Sequence, residues 1–150
     1  MTARGPGSSG HRPGTSGHRL VPHTADVRVE AWGASRERCL MEAVRGMVGS
    51  FADVSAARAT SVVRLRLDRD SDDDLLTALL DEVVFRLDVH GHVPVDVGAE
   101  SVEGGLDVRL EVADLAEVEV IGAAPKGVSW QDLRIGPDPY GWSCAVTIDV

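Results

Sequence analysis

SDDDLLTALLDEVVFRLDVHG, residues 71–91, is followed one residue later by VPVDVGAESV, residues 93–102, and the change of period between them decides the fold. In the first stretch Leu75, Leu76, Leu79, Leu80, Val83, Val84 and Leu87 recur at helical spacing behind Ser71, so one face of a helix is apolar. Asp72, Asp73 and Asp74 crowd its first turn, where carboxylates complement the helix dipole, and capping is a better account of them than a metal cluster. His90 and His92 flank Gly91 at the far end; an imidazole pair without a third ligand reads as loop or C-cap rather than as a metal site. From Val93 the apolar residues alternate. VPVDVGAESV (93–102), GLDVRLEV (105–112), AEVEVIGA (116–123), GVSWQDLRI (127–135) and WSCAVTIDV (142–150) are five expected strands separated by Gly, Pro, Asp and Lys.

Working back toward the N-terminus, ATSVVRLRLDRD (59–70) alternates Val63, Leu65 and Leu67 with Arg64, Arg66 and Asp68, the pattern of a half-exposed strand. GASRERCLMEAVRGMVGSF (33–51) offers Ser35 as an N-cap and an apolar stripe through Cys39, Leu40, Ala43, Val44, Met47, Val48 and Phe51. HTADVRVEAWG (23–33) alternates again and is a first strand. The order strand, helix, strand, helix, then strands implies an α+β two-layer sandwich, with two helices packed on one face of a mainly antiparallel or mixed sheet.

A chain of 150 residues suits one domain, expected over 20–150, and buries roughly two-thirds of the surface its unfolded form exposes. Residues 1–19, rich in Gly, Pro, Ser and basic residues without an apolar stretch, read as a disordered leader and not as a secretory signal. The net charge of −9 repels a phosphate backbone, so protein partners and hard cations fit better than autonomous nucleic-acid binding. No apolar run is long enough to span a bilayer. Cys39 and Cys144 fall in phase with apolar neighbours, without CxxC spacing, and read as small buried hydrophobes in a reducing, cytoplasmic setting.

Asp26 is the anomaly of the first strand. Alternation puts Ala25, Val27, Val29 and Ala31 on the core side and Thr24, Asp26, Arg28 and Glu30 on the other. In the last strand Asp149 likewise faces away from Cys144, Val146, Ile148 and Val150. If those strands are neighbours, two carboxylates and the chain-end carboxylate at Val150 converge, and a divalent cation with oxygen ligands is the simplest way to hold them. Spacing by itself leaves a solvated face as the commoner outcome.

Four blocks in order resemble the archease family, accessory proteins of RNA splicing and repair: HTAD opening the first strand, the leucine-rich DLLTALLDEVVFRLD, KGVSW at 126–130, and the closing IDV. The resemblance covers Leu20 to Val150. It implies an activator and not an enzyme, assisting a GTP-dependent RNA ligase that joins 2′,3′-cyclic or 3′-phosphate ends to 5′-hydroxyls, by promoting guanylylation of the ligase and its turnover. RNA is then met only through the ligase. Carried over residue by residue, Asp26, Asp149 and Val150 match the family's metal ligands, with calcium the expected ion and manganese or magnesium the alternatives. Lys126 matches its functional lysine, although by composition a solvated loop lysine is the blander reading. His23 either orients Asp26 or, with Thr24, closes a turn. The chain departs from the family at Arg28, where a glycine is frequent, and at Gln131, where a histidine is frequent. Two other readings stay open: a metal-dependent phosphohydrolase using the same acids, for which no nucleophile or phosphate loop is evident, and a general chaperone or binding module.

Overall fold

The computed structural model describes residues 13–22 and 26–150. Among the described residues, nine strands and two α-helices follow in order: β1 (Gly17–Pro22), β2 (Asp26–Gly33), α1 (Arg36–Gly49), β3 (Ala52–Asp53), β4 (Ser61–Leu67), α2 (Asp72–His90), β5 (His92–Val102), β6 (Gly105–Asp114), β7 (Glu119–Val120), β8 (Gly127–Asp138) and β9 (Gly141–Asp149). All pairings between them are antiparallel, and the molecule is an α+β sandwich. The strands divide into a four-stranded sheet ordered β1-β2-β9-β8, a three-stranded sheet ordered β4-β6-β5 and the short pair β3-β7. Helix α1 lies against β2, β9 and β1 of the first sheet and β5 of the second, and α2 against β8, β5 and β4.

Local chemistry accounts for the helices. Ser35 and Ser71 sit in extended backbone, and their side-chain oxygens accept the amides of Arg38 and Asp74, each satisfying an orphan donor of the first turn. Gly91, at φ +64°, ends α2 in the left-handed conformation that a residue lacking Cβ adopts freely. The aspartates at 72–74 are first-turn residues of α2, and Asp72 also receives Arg36 Nη1 at 2.8 Å. Both apolar stripes are buried, and Leu40, Met47, Phe51, Leu76, Leu79 and Leu80 meet Val29, Leu106, Leu110, Val146 and Ile148 in one core. Cys39 and Cys144 are free and buried within it. The Cys39 thiol is pushed far above its usual range by the neighbouring Cys144 and then by burial, so it is an inert packing group.

Two expectations need correction. Strand β1 begins at Gly17, inside the segment assigned to the leader. It pairs with β2 from Gly17↔Trp32 to Pro22↔Val27, and Leu20 and Val21 supply enough β character to extend the sheet. In AEVEVIGA only Glu119 and Val120 form a strand, after a 3₁₀ turn at Leu115–Glu117. Val120 and Ile121 are exposed, so that alternation has no second sheet face to bury it.

Candidate functional site

Topology brings β2 and the last strand together. β2 and β9 are adjacent, and their register sets Val29 opposite Val146, Arg28 opposite Thr147 and Asp26 opposite Asp149. Directly opposed residues share a face with Cβ atoms about 5 Å apart. Alternation from the buried Val29, Val146 and Ile148 therefore puts both aspartates on the face turned from the helices, Asp149 exposed and Asp26 half-buried. On the far side of β9, Gly127 pairs with Asp149, and the Lys126 amide donates to the Asp149 carbonyl at 2.7 Å. Asp26, Asp149, Val150 and the Lys126 backbone thus occupy one edge of the first sheet. His23 and Thr24 lie outside the described residues.

The side chains serve two clefts on either side of that edge. One, of about 600 Å³, is lined by Asp81, Phe85 and Asp88 of α2 and by Pro125, Lys126 and Val150. Lys126 is exposed and carries no ion pair among the described residues, while burial pushes the Asp81 carboxyl above its ordinary range. The other cleft, of about 570 Å³, lies on the outer sheet face and is lined by Asp26, Arg28, Ser129, Gln131, Asp132 and Arg134, with Leu133 and Thr147. A register shift between Ser129 and Arg134 lifts residues 130–133 out of the β8 ladder, with Asp132 at φ +58°. This bulge makes the cleft wall. Arg28 holds it, donating from Nη1 to Thr147 Oγ1 and from Nη2 to the Asp132 carbonyl, both at 3.1 Å.

The two opposed aspartates offer hard carboxylate oxygens. Such a set suits calcium, magnesium or manganese rather than zinc. Among the described residues no group of three or more His, Cys, Asp or Glu side chains is placed to hold a metal, so a cation here would need donors beyond Asp26 and Asp149. His90 and His92 do not form a ligand pair with any third residue; their rings stack at 5.4 Å, and Phe85 meets His90 edge-on.

Sequence reasoning missed Arg134, Ser129 and Thr147 as cleft residues and set Gln131 aside. The signal available was weak: GVSWQDLRI alternates imperfectly, and Asp132 is a residue type that tolerates left-handed backbone.

Residues 18–150 match the Archease protein family (MTH1598/TM1083). The chain belongs to the archease family. Among relatives, the probable protein archease of Mycobacterium tuberculosis is 49% identical over 143 residues, which is 95% of this chain and 76% of that protein. Protein archease of Thermoplasma acidophilum is 24% identical over 119 residues, covering 79% of this chain and 84% of that one. Solved structures share the fold. The solution structure of Methanobacterium thermoautotrophicum protein 1598 superposes with a TM-score of 0.72 at 20% identity, covering 89% of this chain and 99% of that chain. The Thermotoga maritima archease crystal structure, described as that of a possible chaperone, gives 0.64 at 17% identity, over 88% and 96% of the two chains. No helix among the described residues is long and apolar enough to cross a membrane.

Proposed function

We propose that this archease activates a GTP-dependent RNA ligase, the class that joins 2′,3′-cyclic or 3′-phosphate RNA ends to 5′-hydroxyls, by promoting guanylylation of the ligase and its turnover. The observation that carries the reading is the register of Asp26 against Asp149, beside the backbone bond from Lys126. Family membership supports it. Asp26, Asp149 and Val150 would hold a divalent cation, preferably calcium, which when bound supplies concentrated positive charge for phosphate oxygens. Lys126 adds a mobile ammonium on an exposed loop close to the same edge, a point charge suited to a partner's phosphates. Asp81 and Asp88 line the same cleft as Lys126.

The test is a guanylylation assay of the cognate ligase with wild type, Asp26→Ala, Asp149→Ala and Lys126→Ala. Wild type stimulates; each variant loses stimulation on the order of tenfold. Equal stimulation by all four removes the site from the account. A second reading, a general chaperone, draws on the description of the Thermotoga relative. It differs in expecting the three variants to protect an aggregating client as well as wild type does. A phosphohydrolase would instead release phosphate from nucleotides without any ligase present.

A further inference from the structure

We infer that the outer-face cleft between β2, β9 and the β8 bulge is a binding site for a phosphate-type oxyanion, held by the guanidinium groups of Arg28 and Arg134. The two arginines reach the cleft from opposite walls, Arg28 from β2 and Arg134 from β8, with β9 as the floor between them. Each guanidinium has five N–H donors. Arg28 spends one on Thr147 Oγ1 and one on the Asp132 carbonyl, and Arg134 spends one on Ser143 Oγ at 3.3 Å. Neither makes an ion pair with a carboxylate among the described residues, although Arg19 on the same face is paired with Glu30. Most of their donors remain for a ligand, in the forked geometry that matches phosphate oxygens.

The rest of the lining has matching chemistry. Ser129 and Thr147 are directly opposed hydroxyl residues on the floor, and Gln131 contributes an amide from the bulge. Arg28 also closes the wall it serves, because its bond to the Asp132 carbonyl pins the bulge over the sheet. Against these stand the carboxylates of Asp26 and Asp132 in the same cleft. Their charge offsets that of the two arginines, and Asp149 stands opposite Asp26 on the same face, so neutralising Asp26 makes the cleft less negative. Anion affinity therefore rises when Asp26 loses its charge, whether to a cation or to substitution. This inference stands whether or not the ligase reading does.

The experiment is calorimetric titration of the full chain, in chelator and at constant ionic strength, with three probes: inorganic pyrophosphate, GTP and a ribonucleoside 3′-monophosphate. Saturable binding is expected for at least one, and comparing the three identifies the source of the phosphate: a bare polyphosphate, a nucleotide or an RNA 3′ end. Arg134→Met, which leaves both Arg28 bonds in place, weakens it at least about tenfold, and Arg28→Lys weakens it as well. Asp26→Asn tightens it, although the ligase reading expects lost stimulation from the same loss of the carboxylate, so the two ideas fail separately. Thermal melts confirm that each variant is folded. Absence of saturable binding by every probe, or Arg134→Met binding as wild type does, overturns the proposal.

Discussion

Glu42 shows how a single side chain ties the N-terminal strand to the body. It accepts His18 Nδ1 at 2.7 Å and Arg45 Nη1 at 2.8 Å, joining β1 to α1. Burial alone would raise its pKa, but the bonds from His18 and Arg45 outweigh it and the carboxyl is held below the ordinary 4.5. A group bound less tightly by protons in the folded chain stabilises it fully above the unfolded value and loses that contribution as pH falls through the folded one. Glu42→Gln should therefore lower stability by about 1–2 kcal/mol at neutral pH, with the deficit shrinking below 4.5 in acid-titrated denaturant melts. Close approach is the other residue-scale constraint on this strand. A Cβ at Gly17 would lie 2.6 Å from the Trp32 indole, and one at Gly46 would lie 2.6 Å from Val29 Cγ1. Gly46→Ala, buried between helix and sheet, should cost about 1–3 kcal/mol in a denaturant melt unless Val29 moves aside.

Among the elements, α2 was the most legible because its signals agree: an N-cap serine, acids in the first turn, a leucine stripe and a terminal glycine. Removing the cap tests that agreement, and Ser71→Ala should lower the melting free energy by about 1 kcal/mol. Strands β2, β6 and β9 were equally plain, since each sets an apolar residue at every second position of the sequence, although Glu30, Ser143 and Ala145 on the other face are buried as well. The failures have a common physical cause, which is pairing with distant partners. GHRLVP lacks an alternating apolar face, and β2 offers the edge that makes it a strand. AEVEVIGA alternates well but finds only the two-residue β3 to pair with. In β8 the bulge at 130–133 depends on Arg28, more than a hundred residues away, so no local pattern could announce it.

For the molecule as a whole, sheet order is what turns separate residues into a site. The order β1-β2-β9-β8 sets the second strand against the last, and a register shift of one residue would send Asp26 or Asp149 to the core face. The apolar alternation of Val27, Val29 and Ala31 against Cys144, Val146 and Ile148 forbids that shift. Legibility of the candidate site followed the same division. The pairing of Asp26 with Asp149 could be expected from alternation plus family resemblance, whereas the arginine-walled cleft beside it could not, because it rests on the bulge. The measurement that bears most directly on the central claim is a calorimetric calcium titration of the full chain beside Asp26→Asn and Asp149→Asn. One saturable calcium site per chain in wild type, lost in both variants, is the predicted result. Wild type without a saturable site, or variants that bind calcium as wild type does, would contradict it.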